Sequence, residues 1–185
     1  MSISALNVYN LELDNGIFLY LNNENLGSSI LLNGNIFNGE NNFAGEIAAT
    51  QYDGHFIFPS LISFRQEKEY LNKKYNEKHF SEEQIMELYA NENDLILKEF
   101  INEKIKMLAN LLNNYLAIID CNTILVDCYF ASFNKTTKNL LYSELENLCG
   151  YYTKPQIIFI KHLKDTFLNG CLDYTIQKGI LNKVK

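Results

Sequence analysis

The chain has 185 residues, of which 47% are apolar, and it includes 12 Tyr and 12 Phe, so it can bury a core and does not have the composition of a disordered protein. The formal net charge is −6, with no Lys/Arg cluster beyond Lys73-Lys74 and the tail Lys183–Lys185, so direct contact with nucleic acid is not expected. Since the first residues lack a signal-peptide pattern and no apolar run reaches the length of a membrane span, we expect a cytoplasmic protein without membrane contact.

Residues from about 7 to 37 have the pattern of a β-meander. The predicted strands are Val8–Leu13, Ile17–Leu21, Ser28–Leu32 and Asn35–Phe37. Asp14-Asn15-Gly16 and Asn33-Gly34 are hairpin-turn signals, because Asn and Gly tolerate a positive φ. The second strand is almost continuously apolar, which is typical of a central strand that is covered on both faces.

The segment from 38 to about 60 has the composition of a loop. Within it, Ala44–Ala49 is expected to form a short helix or a turn. Pro59-Ser60 is a start signal for a helix over Leu61–Lys74, in which Leu61, Phe64 and Leu71 share one face.

Two further helices are predicted before residue 120. Ser81 and Gln84 form a capping box for a helix that runs to about Ala90, and the chain bends at Asn91–Asn93. The next helix has the strongest periodicity, with apolar residues at three- and four-residue steps: Phe100, Ile101, Ile105, Leu108, Leu111, Leu112, Tyr115, Leu116 and Ile119. Its opposite face carries the polar residues Asn102, Glu103, Lys106, Asn110 and Asn113.

Strands and helices alternate in the rest of the chain. The predicted elements are the strand Thr123–Tyr129, the helix Thr136–Cys149 ended by Gly150, the strand Pro155–Ile160 and the helix Asp165–Ile180. Helices that alternate with strands after a meander predict an α/β fold around a mixed sheet. Since there is no repeat, low-complexity tract or linker, we expect residues 1–185 to form one domain, with the meander at about 7–37, the loop at 38–60 and the remaining elements at 61–185.

The meander and its following loop carry a motif. The segment reads Asn25-Leu-Gly-Ser-Ser-Ile-Leu-Leu-Asn-Gly34 and continues as Asn35-Ile-Phe-Asn-Gly-Glu-Asn-Asn-Phe-Ala-Gly-Glu46. It resembles the signature of the ROK family (repressors, open reading frames and kinases), which runs Gly-Ile-Gly-x-Gly-Ile-Ile-x-Asn-Gly and then Gly-x-x-Gly-x-Ala-Gly-Glu-Ile-Gly-His. Ile119–Cys128 lies where that family has Leu-Asp-Pro-x-x-Ile-Val-Leu-Gly-Gly, and Gly170-Cys171-Leu172 is similar to its late Gly-Ala-Ala helix.

The resemblance implies a fold and a set of ligand contacts. The fold is the C-terminal lobe of the actin-like (ribonuclease-H-like) ATPases, a mixed sheet with an N-terminal meander and packed helices. In the ROK family the signature helps to hold a sugar and the phosphates of ATP. It therefore implies a sugar site at Glu46, with Gly45 and Asn41 in the same loop, and a remnant of a phosphate loop at Gly27 and Ser29.

The nucleotide part of this pattern is altered. The three glycine positions of the phosphate loop hold Asn25, Gly27 and Ser29, although a cradle of backbone N–H groups needs closely spaced glycines. Asp127-Cys128 replaces the Gly-Gly beside which adenosine would lie, and an anionic aspartate there disfavours a nucleotide unless a metal ion intervenes. We therefore expect no bound cofactor.

The general base of a ROK sugar kinase is an Asp in a Glu-Asn-Asp-Ala-type motif, on a helix before the meander. The chain is expected to start at the meander, without that motif or the lobe that carries it. Asp14 and Asp53 are the nearest carboxylates, and their turn and loop positions favour structural roles. No catalytic residue is assigned, and the interpretation leans away from an enzyme.

The zinc ligands of the family are also replaced. Its Gly-His corresponds to Ala48-Ala49, and no Cys-x-Cys-Gly-x-x-Gly-Cys cluster follows. His55 and His79 are isolated, so no metal site is expected. The four cysteines, Cys121, Cys128, Cys149 and Cys171, are widely spaced in the sequence. This spacing favours buried free thiols in a protein of a reducing compartment.

Three functions stay open. The leading hypothesis is a non-catalytic domain of a ROK-type transcriptional regulator of the NagC/XylR kind, or of a degenerate ROK protein, that senses a sugar or sugar phosphate and forms a homo-oligomer, while DNA contact is made by residues outside this chain. One alternative is the C-terminal fragment of an ATP-dependent, glucokinase-like sugar kinase, and another is a stand-alone scaffold without a small ligand. For Glu46 itself, the alternative to sugar binding is a surface carboxylate that caps a nearby turn.

Overall fold

A computed structural model of the chain describes residues 13–21, 26–52, 54–56, 64–76, 79–91, 93–128, 135–148 and 155–160. Its strands are β1 (Gly16–Leu21), β2 (Leu26–Leu32), β3 (Asn35–Phe37), β4 (Gln51–Tyr52), β5 (His55–Phe56), β6 (Thr123–Cys128) and β7 (Gln156–Ile160). Its helices are α1 (Arg65–Tyr75), α2 (Glu82–Asn91), α3 (Leu95–Ile119) and α4 (Lys135–Leu148), and a short 3₁₀ helix, Ile47–Ala49, precedes β4.

Five of the strands form one mixed sheet in the order β3-β2-β1-β6-β7. The first three are antiparallel neighbours, as the meander predicts, whereas β6 runs parallel to β1 and β7 runs parallel to β6. Parallel neighbours need long crossovers, which here contain α3 before β6 and α4 before β7. β1 lies in the centre and its side chains are buried on both faces, so the predicted central strand is confirmed.

The turn between β2 and β3 has the geometry that its sequence predicts. Asn33 and Gly34 have φ values of 51° and 72°, as a type I′ hairpin turn requires. The Gly34 N–H donates to the carbonyl oxygen of Asp14 at 2.8 Å, which holds the residues before β1 against this turn. At the turn predicted over Asp14–Gly16, Gly16 is already part of β1 and pairs with Leu31 in the sheet. Residues 8–12 of the predicted partner strand lie outside the described residues, so this hairpin stays a prediction.

The two faces of the sheet have different partners. On one face, which we call the helix face, the strands join the helices in the main core through Ile17, Leu19, Leu21, Ile124, Val126 and Ile157. The opposite face carries a smaller cluster of Phe18, Leu125 and Ile160, with Leu13 and Tyr20 beside it. The periodicity predicted for α3 is confirmed by its buried residues, which are Leu97, Ile101, Lys104, Ile105, Leu108, Ala109, Leu111, Leu112 and Leu116.

The capping box predicted for α2 is confirmed. The Ser81 N–H donates to Gln84 Oε1 at 2.8 Å, and the Gln84 N–H donates to Ser81 Oγ at 3.2 Å. These two bonds satisfy N–H groups that the first turn of a helix leaves without partners.

Asp94 caps the long helix α3 and also joins it to α1. Its carboxylate accepts hydrogen bonds from the N–H groups of Ile96 and Leu97, both at 3.1 Å. It also accepts from the Tyr70 hydroxyl at 3.0 Å and from Lys74 Nζ at 2.8 Å. One side chain therefore fixes where α3 begins and where α1 lies against it.

A buried ion pair links the same two helices further along. Lys104 Nζ of α3 lies 2.8 Å from each carboxylate oxygen of Glu67 in α1, and the two side chains are only 6% and 0% exposed. The ammonium group also lies 5.6 Å from the ring centre of Phe64. Burial lowers the pKa of Lys104, against the opposing charge of Glu67. Phe64 and Leu71 share a buried face as predicted, but Glu67 lies between them on that face.

Other predicted boundaries agree to within a few residues, and one pair of strands was not predicted. The short helix or turn predicted over Ala44–Ala49 is confirmed by the 3₁₀ helix, whereas β4 and β5 form a small hairpin inside the segment expected to be a loop. Leu61, Gly150 and the helix predicted at Asp165–Ile180 lie outside the described residues. Among the helices that the structure describes, none is both long and apolar enough to cross a membrane.

Asp94→Ala is expected to lower the free energy of unfolding by about 1–2 kcal/mol, because α3 loses its cap. Asp94→Asn retains a capping side chain and loses only the charge, so its cost should be smaller. Urea denaturation of both variants at pH 7 measures the difference, and equal costs would contradict a capping role.

The charge of Asp94 makes the free energy of unfolding depend on pH in the acid range. Burial acts to raise the pKa of Asp94, but its bonds to Lys74, Leu97 and Tyr70 outweigh burial and lower the pKa below 3.8. The stability that the carboxylate contributes is therefore present above the unfolded-state pKa and is lost as the pH falls through the folded-state pKa. Asp94→Asn should lose less stability than the parent chain over this acid range.

Lys104→Met is expected to cost about 3–5 kcal/mol, because it leaves the Glu67 carboxylate buried without its counter-ion. The double variant Glu67→Leu/Lys104→Met should recover most of that loss, since no buried charge remains. Guanidinium unfolding of the single and double variants tests this, and additive losses would contradict it.

Candidate functional site

The predicted sugar loop is built on a tight turn from Phe43 to Glu46. The Glu46 N–H donates to the Phe43 carbonyl oxygen at 3.3 Å, and Gly45, at the third position, has a φ of 85°. A positive φ at this position defines a type II turn and favours glycine. A Cβ at Gly45 would lie 3.0 Å from the carbonyl oxygen of Ser28, so the turn packs directly on the backbone of β2.

Ser28 joins this turn to α3 by hydrogen bonds. Its Oγ donates to the carbonyl oxygen of Gly45 at 2.5 Å and lies 3.1 Å from the hydroxyl oxygen of Tyr115. A serine hydroxyl can donate only one hydrogen bond, and Ser28 donates it to the carbonyl oxygen of Gly45. The Tyr115 hydroxyl is therefore the donor in the second bond. The Ile47 N–H donates to the same Gly45 oxygen at 2.8 Å.

Glu46 is the exposed residue of this arrangement. It precedes the 3₁₀ helix, and its side chain makes no capping hydrogen bond to the described residues of that helix. Ile47, the next residue, is fully buried and anchors the turn in the core. Burial raises the pKa of Tyr115 and the negative charge of Glu46 also raises it, whereas the hydrogen bond with Ser28 acts to lower it. The Glu46 carboxylate is thus an exposed charge that the Tyr115 phenol senses.

Asn41 lies in the exposed part of the same loop. The loop folds back on itself, since the Ala44 N–H donates to the Asn38 carbonyl oxygen at 3.0 Å, and Gly39 and Asn42 both have positive φ values. This closure keeps Asn41 in the loop that leads to Gly45 and Glu46. Its assignment as a ligand contact stays a prediction.

The predicted phosphate-loop remnant lies on the opposite face of the sheet. Gly27 pairs with Tyr20 and Ser29 pairs with Phe18, and paired residues share a face. Ser29 lines a small apolar pocket with Leu13, Gly16, Ile17, Phe18, Leu31 and Leu125. A Cβ at Gly27 would meet no described atom within 4 Å. The structure thus brings Gly45 and Glu46 together with Ser28, and it separates them from the side chain of Ser29.

The carboxylates considered as bases have other environments. Asp14 is exposed and its backbone oxygen is bonded in the β2–β3 turn, while Asp53 lies outside the described residues. Glu92-Asn93-Asp94 matches three residues of the Glu-Asn-Asp-Ala motif, but it follows the meander instead of preceding it. Asp94 is the N-cap of α3, and its oxygens are occupied by four donors.

Among the described residues, the side chains that could bind a metal ion do not form a cluster. The part of the chain that the structure describes contains no group of three or more His, Cys, Asp or Glu residues placed to hold a metal ion. His79 is exposed, and Cys121 is a buried free thiol as predicted. Cys149 and Cys171, for which buried thiols were also predicted, lie outside the described residues.

Comparison with solved structures finds ROK proteins. A ROK family protein from Streptococcus pneumoniae TIGR4, solved in complex with sucrose, has a TM-score of 0.74 and 18% identity, over 96% of this chain and 63% of that chain. A ROK hexokinase from Thermus thermophilus has a TM-score of 0.70 and 13% identity, over 90% of this chain and 62% of that chain. A ROK family transcriptional regulator, a homolog of the E. coli MLC protein, has a TM-score of 0.69 and 16% identity, over 91% and 48%. The chain has the ROK fold.

This result confirms the fold class predicted from the motif, that of the actin-like ATPases. At these identities, what the chain shares with the ROK proteins is the fold. The chain spans less than two thirds of the length of each of the three structures. No protein-family model matches it, and no curated protein does either.

Two residues of the candidate site were not predicted. Ser28 was part of the motif but had no assigned role, and Tyr115 was counted among the apolar positions of its helix. The two lie 87 residues apart, so no local pattern pairs them. The only signal in the sequence was a tyrosine in an aliphatic stripe, since a buried tyrosine hydroxyl needs a partner.

Gly45→Ala is expected to lower the free energy of unfolding by about 1–3 kcal/mol, through left-handed backbone strain and a close contact with Ser28. Two glycines serve as controls. Gly54 has a φ of 74° and open space around its Cβ position among the described atoms, so Gly54→Ala reports strain alone. Gly27→Ala has neither problem and should be almost neutral. Thermal and urea unfolding should give the order Gly45, Gly54, Gly27, and an equal effect at Gly45 and Gly27 would contradict packing of the turn on β2.

Proposed function

We propose that the chain is a non-catalytic sugar-sensing and dimerisation domain of a ROK-type transcriptional regulator of the NagC/XylR kind, or of a degenerate ROK protein. The observation that carries this proposal is the exposed Glu46 carboxylate on a turn that Ser28 and Tyr115 hold to the sheet and to α3. Because the backbone of this turn is held in place, its carboxylate can accept hydrogen bonds from sugar hydroxyls at a lower entropic cost than a carboxylate on a free loop. The ligand in this proposal is a sugar or a sugar phosphate, with Gly45 and Asn41 beside Glu46.

The comparisons add support for both parts of the proposal. One structure with this fold holds sucrose, and another is a transcriptional regulator. The exposed apolar side chains Leu95 and Ile118, at the two ends of α3, offer surface for a homo-oligomer contact. We place the protein in the cytoplasm, treat residues 1–185 as one ROK-like lobe, and assign DNA contact to residues outside this chain.

A second candidate is the C-terminal part of an ATP-dependent sugar kinase. The likeness to a hexokinase favours it, whereas Asp127-Cys128 and the lone Gly27 of the phosphate loop favour a protein without ATP. A coupled assay with glucose and N-acetylglucosamine separates the two, since turnover by the chain would overturn the non-catalytic proposal. A scaffold without a small ligand is the third possibility.

A thermal-shift panel of sugars, sugar phosphates and nucleotides is expected to give a hit among the sugars. A ligand at 100 times its Kd adds about 2.7 kcal/mol to the free energy of unfolding. Glu46→Gln should weaken the affinity about 10-fold or more by removing a charged acceptor, with little change in the stability of the ligand-free protein.

Glu40→Gln is the matched control, since Glu40 is an exposed carboxylate in the same loop. Its affinity for the sugar should equal that of the parent chain. No response to any sugar would favour the scaffold, and equal losses in both variants would move the site away from Glu46.

A further inference from the structure

The carbonyl oxygen of Gly45 is held from two sides. It accepts from Ser28 Oγ at 2.5 Å and from the Ile47 N–H at 2.8 Å, which uses both of its lone pairs. This oxygen belongs to the peptide group that joins Gly45 to Glu46. Whatever fixes Ser28 Oγ therefore also fixes the direction in which the Glu46 side chain leaves the turn.

Tyr115 is the group that fixes Ser28 Oγ. Its hydroxyl donates to that oxygen at 3.1 Å, from a helix whose neighbouring residues Leu111, Leu112 and Leu116 are buried in the core. The hydrogen bonds thus run in one direction, from α3 through β2 to the turn. The ring of Tyr115 packs against the core, so the ring and the hydroxyl have separable roles.

We infer that Tyr115 is a positioning residue for Glu46, which it holds through Ser28 and Gly45 in the orientation that presents the carboxylate to a ligand. The inference rests on the proposed function for the nature of that ligand, but not for the hydrogen-bond chain itself. Because the raised pKa keeps the phenol protonated, the donor persists at neutral and mildly alkaline pH.

Tyr115→Phe separates the two roles, since it removes the hydroxyl and keeps the ring. In the ligand-free protein, hydrogen exchange at the Ile47, Ala49 and Thr50 amides should become about 5-fold faster, the change expected for losing one hydrogen bond of about 1 kcal/mol. These three N–H groups are bonded within the turn and the 3₁₀ helix, so they report on its closure.

Tyr89→Phe is the matched control, because the Tyr89 hydroxyl donates to Asn102 Oδ1 at 2.9 Å, between α2 and α3. It should leave those three amides unchanged even if it lowers Tm. Ser28→Ala should reproduce the effect of Tyr115→Phe, and the double variant should add little to Ser28→Ala, since both act through one chain of bonds.

The affinity for glucose, N-acetylglucosamine and sucrose is measured as a separate test. Tyr115→Phe should weaken the affinity of the sugar that binds by about 5-fold, and Tyr89→Phe should not change it. If exchange responds as expected and no sugar or sugar phosphate of the thermal-shift panel binds the parent chain, the positioning role stands and the proposed function fails. Unchanged exchange in Tyr115→Phe, or additive effects of the Ser28 and Tyr115 variants, would overturn the positioning role whatever the sugars do.

Discussion

The rest of the structure depends on the contact between α3 and the helix face of the sheet. This 25-residue helix places its apolar residues in the same core as β1 and β6, and it packs beside α4. Burial of apolar surface along such a face is the dominant favourable term in a fold of this kind. It also sets the height and rotation of the helix, so it decides that Tyr115 arrives opposite Ser28 rather than a turn away. The site geometry is thus a consequence of core packing.

Polar contacts then fix α1 against this helix. Asp94 ties the end of α1 to the first turn of α3, and the Glu67–Lys104 pair ties the same helices about two turns away along α1 and about three turns away along α3. Apolar packing restricts how the two helices fit together, and the charged hydrogen bonds add a directional requirement that only one alignment of donors and acceptors meets. Burying two charges costs free energy that their attraction only partly returns, so the pair is better understood as a source of alignment than of stability.

Local patterns predicted the elements whose cause is local. Asn33-Gly34, the Ser81/Gln84 capping box and the stripe of α3 each depend on residues within a few positions of one another, and each is confirmed. The buried Lys104 was not predicted, because its partner is 37 residues away and only that partner makes burial of a lysine tolerable. The β4–β5 hairpin has two-residue strands, which are too short to show alternation. The likeness to a known signature located Gly45 and Glu46, but the residues that hold them come from another strand and a distant helix.

Successive residues of β2 point to opposite faces of the sheet, and this separates the predicted phosphate-loop residues from the residue that supports the sugar loop. Ser28 lies on the helix face and supports the turn that carries Glu46, whereas Gly27 and Ser29 point to the opposite face. A change at Gly27 or Ser29 therefore alters the phosphate-loop remnant without touching the hydrogen bonds that orient Glu46. Because neighbouring residues in a strand point to different faces, Ser28 contacts the turn and α3, whereas Ser29 and Leu31 line the apolar pocket on the other face. The hydrogen-bond chain from Tyr115 through Ser28 to Gly45 therefore lies wholly on the helix face of the sheet.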